Sequence, residues 1–412
     1  MRILHLATTY PLHPGDSNAT FVASIAEGLA ARGHECDVLV PWHPELQEMR
    51  SGGVTVTGFR YSPIDAWHPW GYAQSLTADR ALRPDAYLAA PLAALAGRRW
   101  VRRLHRERHY HLLHAHWFLP NGAIAASAWR GTGLPLVVSC HGSGVYLAEK
   151  HGWAARLGRY VHRHAGAVTA CSADLARRVD RFGEGAAAVR IPYGVDTDRF
   201  APLGPARRAS ARTEIASAHG LDPEAMWVFA IGRLVYKKGF EVLIKAAGIA
   251  AQRGVGLEVV IAGAGPLERQ LTELADFRGV GDRVHLVGAV PNRDVPRLYA
   301  ASDVVAVPSV HDAEGNVDGL PNTLMEGLSS GAAVVASEVA GIPDVLRPRD
   351  NGLLFAERDE NALADLLSEL ATNPALRQEL GERARADATA NLDWEQTVTQ
   401  FEQVYRTVNA EA

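Results

Sequence analysis

Short apolar runs rich in β-branched residues alternate with longer amphipathic segments in this chain, and the alternation occurs twice. Runs that are apolar throughout predict strands of parallel sheets, because helices bury such strands on both faces. Two sets of this kind predict an α/β protein with two Rossmann-like domains. The predicted strands are Arg2–Ala7, Cys36–Val40, His111–His116, Leu136–Cys140, Ala167–Cys171, Trp227–Ile231, Leu257–Ala262, Arg283–Val287, Asp303–Val307 and Ala332–Ser337.

The chain length agrees with two domains, since 412 residues exceed what one ordinary hydrophobic core organises. The segment Ala201–Arg212 combines Pro, Gly and charge without helical periodicity, so we expect a linker there. We therefore predict an N-terminal domain over residues 1–200 and a C-terminal domain over 201–385. Residues 386–412 are predicted to form a C-terminal helix that packs back toward the N-terminal domain.

The composition, with 47% hydrophobic and 21% charged residues, is typical of a folded globular protein. No uncharged apolar run reaches the roughly 20 residues that a membrane-spanning helix needs. The N-terminal residues indicate a first strand rather than a signal peptide, so we expect a cytoplasmic location. Cys36, Cys140 and Cys171 are scattered, and they predict neither a disulfide framework nor a zinc site.

The charge is distributed unevenly, with a net +6 over residues 1–200 and a net −10 over the remainder. The first half is therefore the one that favours an anionic partner. Its most basic segment, Arg98–His111, has a helical pattern. Two interpretations stay open: a solvated helix face, or a contact with an anionic membrane surface or a lipid-diphosphate acceptor. No nucleic-acid partner is predicted.

The segment from Asp318 to Glu326 has the pattern of a loop that leads into a helix. Asn322 or Thr323 is a suitable N-cap for this helix, and Glu326 would lie in its first turn. Free backbone N–H groups at a helix start bind anions, whereas carboxylates accept hydrogen bonds from sugar hydroxyls. Together they suit a diphosphate flanked by two sugars.

A second loop, Gly232–Gly239, follows the first predicted strand of the second half. Its Arg233 offers a planar fork for phosphate oxygens, and Lys238 adds a second positive charge. Ligands of open parallel sheets bind beyond the carboxyl ends of the strands, so this loop is expected near the same ligand.

These motifs occur in the order found in a known enzyme family. The chain resembles the large fourth family of retaining glycosyltransferases, whose GT-B architecture has two facing Rossmann-like domains with a cleft between them. The resemblance rests on the segments Ala31–Pro41, His114–Trp117, His141–Ser143, Ile191–Phe200, Gly232–Gly239, Ala262–Leu271 and Asp318–Ser337.

The resemblance implies roles for residues of the second half. Arg233 and Lys238 would hold the donor diphosphate, with backbone contacts from Thr323 and Leu324. Glu326 would bind the ribose hydroxyls. Asp318 would contact the donor sugar, although the family usually has a glutamate there and the arm of Asp318 is shorter.

In the first half, the resemblance gives His141 a contact with the transferred sugar and an organising role at the reacting centre. The loop Pro14–Thr20, through Gly15, would approach the donor phosphates. Many family members have a Gly-Gly pair there, whereas this chain has Gly15 followed by Asp16. His114 and His116 face one side of a strand, as two metal ligands would, but the spacing reveals no third ligand.

The implied activity is the transfer of a hexosyl group, with retention, from a UDP- or GDP-sugar to an acceptor hydroxyl. Its setting would be cell-surface polysaccharide or glycolipid synthesis, and its acceptor a carbohydrate or a lipid-linked sugar. No metal and no other cofactor are predicted, because Arg233, Lys238 and the helix N-terminus would meet the charge of the leaving diphosphate. The alternatives are a nucleotide-sugar epimerase and a non-catalytic nucleotide-sugar-binding protein. An NAD-dependent oxidoreductase is disfavoured because Gly263–Glu268 is only part of a dinucleotide fingerprint.

Overall fold

The structure is a computed structural model that describes residues 1–13, 15–16, 19–46, 50–72, 76–77, 81–183 and 187–410. The strands are β1 (Arg2–Leu6), β2 (Glu35–Pro41), β3 (Arg50–Ser51), β4 (Val54–Phe59), β5 (Leu76–Thr77), β6 (Ala81–Leu82), β7 (Leu112–His116), β8 (Leu136–Cys140), β9 (Ala167–Ala170), β10 (Val189–Arg190), β11 (Met226–Ile231), β12 (Leu257–Ala262), β13 (Val284–Gly288), β14 (Val304–Val307), β15 (Ala333–Ser337) and β16 (Leu353–Phe355).

The α-helices are α1 (Thr20–Ala31), α2 (Pro84–Arg108), α3 (Ala123–Trp129), α4 (Ser143–Lys150), α5 (Gly152–His164), α6 (Ala173–Asp180), α7 (Pro205–His219), α8 (Phe240–Gln252), α9 (Glu268–Phe277), α10 (Val295–Ala301), α11 (Asn322–Ser329), α12 (Glu360–Thr372), α13 (Pro374–Asn391) and α14 (Trp394–Ala410). Short helical turns cover Asp65–Trp67, Phe118–Gly122, Tyr236–Lys238 and Ile342–Asp344.

The chain forms two compact units, one of Met1–Tyr193 with Trp394–Ala412 and the other of Gly194–Asp393. The first unit has an eight-stranded sheet in the order β10-β9-β8-β7-β1-β2-β4-β3, and the second a six-stranded sheet in the order β13-β12-β11-β14-β15-β16. Within the described residues of these two sheets, neighbouring strands run parallel except for the pair β3 and β4 at one edge. Strands β5 and β6 form a separate antiparallel pair. The predicted α/β class with two Rossmann-like units is therefore confirmed, and each predicted strand is present.

Burial on both faces explains why the apolar runs become central strands. In the second unit Val228 and Ala230 of β11 belong to one buried cluster with Leu243 and Ala247 of α8. Helix α8 buries the apolar stripe that its sequence pattern predicts, whereas the strand contributes alternate residues to each covering layer.

The segment Ala201–Arg212 differs from the prediction of a linker, because helix α7 begins within it at Pro205. Charge rather than an apolar stripe anchors the start of this helix. Arg208 and Arg212 donate to the carboxylate of Asp303 over 2.7 and 3.0 Å. The backbone N–H of Trp227 donates to the same carboxylate over 2.9 Å, so one half-buried acid joins α7 to the sheet.

Helix α14 belongs to the first unit although it ends the chain. Its Phe401 and Tyr405 are buried in the core formed by α1, β1 and β2. Arg32, at the end of α1, forms an ion pair of 3.0 Å with Glu402.

Helix α2 covers most of the basic segment predicted to be helical, but it ends at Arg108, so His109–His111 lie outside it. Within the part of the chain that the structure describes, no helix combines the length and the hydropathy needed to span a bilayer.

Candidate functional site

The strand order of the second unit reverses between the neighbouring strands β11 and β14. From β11 the chain proceeds outward to β12 and β13, and from β14 it proceeds outward to β15 and β16 on the other side. At such a reversal the loops that follow the two strands diverge at the carboxyl edge, and open parallel sheets bind their ligands in the crevice between them. The two loops singled out in the sequence follow these two strands.

The loop after β11 contacts the first residues after β14, Pro308–Val310, through its backbone. Gly239 has a φ of 65°, and a Cβ atom there would lie 1.8 Å from the carbonyl oxygen of Pro308. Only glycine accepts both the left-handed backbone and this contact. The N–H of Val310 also donates to the carbonyl oxygen of Lys237 over 3.0 Å. This hydrogen bond holds the backbone at Lys237 beside the second loop.

Two lysines converge on one carboxylate in this crevice. Asp318 forms ion pairs with Lys237 over 3.0 Å and with Lys238 over 2.6 Å. Burial alone would raise the pKa of Asp318, but Lys238 and Lys237 lower it well below its usual range. The acid is therefore ionised at neutral pH, and the group carries a net positive charge. Lys237 is a member of this group that the sequence analysis did not single out.

Helix α11 begins at Asn322, and its N-cap position is occupied by Pro321 without any side-chain cap. The prediction of Asn322 or Thr323 as the N-cap is therefore wrong. Since proline offers no side-chain acceptor, the first turn keeps backbone N–H groups for an anion. The N–H of Leu324 donates to the carbonyl oxygen of Pro321 over 3.0 Å, and the Oδ1 atom of Asn322 is buried without a hydrogen-bond partner.

Glu326 lies beyond the first turn of α11, contrary to the prediction. Its carboxylate accepts a hydrogen bond of 2.8 Å from the hydroxyl group of Tyr299 on α10. Burial raises the pKa of Glu326, while the Tyr299 hydrogen bond and the positive charges of Arg199 and Lys238 oppose the rise. The sequence analysis missed Tyr299 and Arg199, because nothing in their own segments marks them as neighbours of this acid.

Arg233 lies on the loop after β11 with an exposed side chain. Next to it, Gly232 packs against Lys238, since a Cβ atom on the glycine would lie 3.0 Å from the lysine Cε. The second unit thus brings Lys238, Asp318 and Glu326 close together at the start of α11, with Arg233 on the adjoining loop.

The first unit places Gly15 in the loop after β1, with a φ of 92°. Of the predicted loop Pro14–Thr20, residues 14, 17 and 18 lie outside the described residues. Asp16, which replaces the second glycine of the family pattern, accepts a hydrogen bond of 2.8 Å from the N–H of Leu12. The aspartate therefore shapes this loop internally.

His141 follows β8, at the carboxyl edge of the first sheet. Its Nδ1 atom lies 2.7 Å from the hydroxyl oxygen of Tyr193, and its Nε2 atom lies 3.3 Å from Nδ1 of His116. The ring centroid of Phe21 is 4.6 Å from that of His141. Burial lowers the pKa of His141 to about 3, so the ring is neutral at physiological pH.

A third histidine, His5 on β1, joins His114 and His116, and ring nitrogens of the three lie within 4.8 Å of one another. The sequence analysis did not find this neighbour, which precedes His116 by 111 residues. Three imidazoles can ligate a transition metal. However, both ring nitrogens of His114 already contact hydroxyl groups, Nε2 that of Ser139 at 2.6 Å and Nδ1 that of Tyr405 at 2.7 Å.

Comparisons with known proteins agree with this arrangement. The profile described as "Glycosyl transferases group 1" matches residues 211–387, and that of "Glycosyltransferase Family 4" matches residues 19–199. The GDP-mannose-dependent alpha-(1-6)-phosphatidylinositol monomannoside mannosyltransferase of Mycobacterium tuberculosis (strain CDC 1551) is 30% identical over 65% of this chain and 72% of its own length. The D-inositol 3-phosphate glycosyltransferase of Salinispora arenicola is 31% identical over 72% of this chain and 68% of its own length.

Among solved structures, sucrose-phosphate synthase from Thermosynechococcus elongatus matches with a TM-score of 0.80 and 21% identity over 100% of both chains. Fold and relatives together define a glycosyltransferase built on two Rossmann-like units. The chain belongs to the group 1 glycosyl transferases, as the sequence resemblance predicted.

Proposed function

We propose that the protein transfers a hexosyl group from a nucleoside-diphosphate sugar to an acceptor hydroxyl. The main support is the grouping of Lys237, Lys238 and Asp318 beside the uncapped start of α11. The lysines and the helix N-terminus would bind the diphosphate. Arg233 would add a third cation from the adjoining loop, and Glu326 would accept hydrogen bonds from the ribose hydroxyls.

The proposed chemistry retains the anomeric configuration and needs no metal. When the bond between the anomeric carbon and the diphosphate oxygen breaks, negative charge collects on the leaving diphosphate. We propose that Lys238, Lys237 and the N-terminus of α11 stabilise that charge without a bound cation. The acceptor oxygen attacks from the same face, and its proton passes to an oxygen of the leaving diphosphate. His141 would contact the transferred sugar, as the family resemblance implies.

For the donor we propose a GDP- or UDP-sugar, with GDP-mannose as the first candidate. The support is the similarity to the mycobacterial relative, a GDP-mannose-dependent alpha-(1-6)-phosphatidylinositol monomannoside mannosyltransferase. Asp318 is compatible with either donor, because its carboxylate can accept hydrogen bonds from sugar hydroxyls once the lysines bind the diphosphate. The proposed acceptor is a lipid-linked sugar or a carbohydrate, in glycolipid or surface-polysaccharide synthesis.

We propose a cytoplasmic enzyme that contacts the inner face of the plasma membrane through helix α2. Leu88, Leu92 and Leu95 of this helix are 81, 48 and 48% exposed. Arg99 and Arg103 continue the same stripe at spacings of three or four residues, and both are exposed. An apolar segment followed by basic residues suits a helix that lies in an anionic membrane surface.

A groove of about 360 Å³ lies beside this stripe, lined by Leu92, Leu95 and Arg99 together with Arg60 and Trp100. Its two guanidinium groups and apolar wall suit the phosphate and the acyl chain of a lipid. We propose that this groove binds a lipid headgroup at the membrane contact.

A panel of nucleotide sugars, scored by thermal shift and by release of nucleoside diphosphate, tests the proposed reaction. We expect one donor to stabilise the protein and to release diphosphate only when an acceptor is present. Conversion of the donor to an isomeric sugar would instead identify a nucleotide-sugar epimerase. Binding without turnover on any acceptor would identify a non-catalytic nucleotide-sugar-binding protein.

Co-sedimentation with anionic and neutral vesicles tests the membrane contact. We expect binding to anionic vesicles at low salt, and its loss in the variant Leu88→Glu/Leu92→Glu. The matched control is Phe277→Glu, which changes an apolar residue that is 84% exposed in the second unit. Equal sedimentation of the two variants would contradict the proposal.

A further inference from the structure

Three imidazole rings form a row that starts in the first sheet and ends at the carboxyl edge. The Nδ1 atom of His5 lies 3.1 Å from Nε2 of His116, and Nδ1 of His116 lies 3.3 Å from Nε2 of His141. The hydroxyl group of Tyr193 continues the row at 2.7 Å from Nδ1 of His141. His116 and His141 thus each contact their two neighbours in the row through different ring nitrogens.

The geometry is that of in-plane hydrogen bonds. The planes of His5 and His116 differ by 21°, and those of His116 and His141 by 11°. The ring centroids are 5.4 and 5.5 Å apart, which exceeds the corresponding nitrogen separations by about the two ring radii. The contacting nitrogens therefore lie close to the lines that join the ring centres, where their lone pairs and N–H bonds point.

Burial keeps all three rings neutral. It lowers the pKa of His5 and of His141 to about 3, and that of His116 well below the ordinary value. A neutral imidazole has one N–H donor and one acceptor nitrogen, so every bond in the row must run in the same direction. Either all the N–H groups point toward His5, or all point toward Tyr193.

The far end of the row distinguishes these two directions. The Nε2 atom of His5 is buried and has no hydrogen-bond partner. If the N–H groups pointed toward His5, this atom would be a buried unpaired donor, which folded proteins avoid more strongly than an unpaired acceptor. The direction toward Tyr193 leaves only a lone pair unsatisfied, and it is therefore the favoured one.

We propose that His5 and His116 are positioning residues that hold His141 in its Nδ1–H tautomer, with its ring fixed in plane against Tyr193. In this state both ring nitrogens of His141 are engaged inside the first unit. The ring then offers no nitrogen to a sugar, and a sugar contact at this position would come from the backbone at His141 and Gly142. Position 142 favours glycine because its φ of 121° is a backbone conformation that other residues rarely adopt. The catalytic consequence of this inference rests on the proposed function, whereas the hydrogen-bonded row of rings is independent of it.

Nitrogen-15 NMR of the histidines in the full chain tests the row without any substrate. We expect His5, His116 and His141 to be neutral Nδ1–H tautomers at pH 7.5. His116→Leu removes the donor to His141 and should release it from that tautomer. His116→Asn places an amide donor near the position of Nδ1 and should restore it, whereas His219→Asn, on an exposed histidine of the second unit, should change nothing.

Turnover gives the second measurement. We expect kcat of His116→Leu to fall about 10-fold or more with little change in the KM for the donor, because a reacting centre tolerates little displacement. The Asn variant should recover most of the loss. A wild-type His141 in the Nε2–H tautomer would overturn the proposal, as would a stoichiometric metal that holds these nitrogens. Absence of transfer with every donor would contradict the proposed function and leave the NMR result intact.

Discussion

The hydroxyl group of Tyr299 donates a hydrogen bond of 2.8 Å to the carboxylate of Glu326. Tyr299 is itself fixed by edge-on contacts with Phe200 and Phe229, whose ring centroids lie 5.6 and 5.0 Å away. The acid therefore has a defined orientation on α11. A carboxylate held in this way can accept two sugar hydroxyls without first losing side-chain freedom.

The variant Tyr299→Phe should weaken the binding of nucleoside diphosphate about 10-fold or more. A hydrogen bond to a charged group contributes about 1.5–3 kcal/mol, and without it the pKa of the half-buried Glu326 should rise further. Titration calorimetry with GDP and UDP measures the change. Tyr160→Phe, which removes a hydroxyl group in the first unit, is the control. Unchanged affinity in Tyr299→Phe would refute a role for this contact.

Loss of the acid itself should have a larger effect. We expect Glu326→Ala to lower kcat/KM at least ~100-fold, the size of effect seen when one positioned polar group is removed from a site. Glu326→Gln keeps the length of the side chain and an acceptor for Tyr299, and it should retain more activity than Glu326→Ala. Near wild-type turnover of the alanine variant would remove Glu326 from the site.

The sequence predicted those parts of the structure that depend on local pattern. The strands of both sheets follow from apolar runs, and the placement of Lys238 and Asp318 follows from the rule that parallel sheets bind ligands at their carboxyl edges. Tyr299 and His5 could not be found in this way. Each acts on a partner in another element, and side-chain contacts between distant segments leave no periodic signal.

The histidine cluster should make the first unit sensitive to acid. Burial lowers the pKa of His5 and His141 to about 3 and that of His114 and His116 well below 6.5. In the unfolded chain these groups take up protons near pH 6.5, so from about pH 6.5 down to about pH 3 the unfolded state binds more protons. Stability is therefore fully present above that window and is lost as the pH falls through it, by about 1.4 kcal/mol per pH unit for each histidine.

Hydrogen exchange of the amides in β1 and β7, measured between pH 5 and 7.5, reports this loss once the intrinsic pH dependence of exchange is removed. In the variant His5→Leu the free energy of unfolding should depend less steeply on pH. The difference is the contribution of one histidine, about 1.4 kcal/mol per pH unit. His219→Leu, on an exposed histidine, should match the wild type. Identical slopes for His5→Leu and the wild type would show that His5 is not buried and neutral.

Transfer activity should survive an excess of chelator. In the proposed reaction the positive charge of Lys237, Lys238 and the helix N-terminus would balance the leaving diphosphate in place of a metal. The measurement is initial rate before and after dialysis against EDTA, with the metal content of the protein determined in parallel. A loss of activity that added Mg²⁺ or Zn²⁺ restores would contradict metal-independent transfer and would direct attention to His5, His114 and His116.

Asp318 should have opposite effects on binding and on turnover. In the free protein its carboxylate neutralises part of the charge of Lys237 and Lys238, over 3.0 and 2.6 Å. Asp318→Asn leaves both ammonium groups to the diphosphate, so we expect nucleoside diphosphate to bind about 10-fold more tightly, the effect of about 1.4 kcal/mol of removed competition. Turnover should fall, because the donor sugar loses an acceptor and the product leaves more slowly.

Calorimetry with the diphosphate and steady-state kinetics with the donor separate these effects. The matched variant Lys237→Ala removes one cation and should weaken diphosphate binding while leaving the Lys238 ion pair in place. Without Asp318 the like charges of the two lysines also repel one another, so a lower melting temperature of Asp318→Asn is expected and diphosphate should restore it. Weaker binding of diphosphate by Asp318→Asn would show that the acid supports the cations at this site rather than competing with the ligand for them.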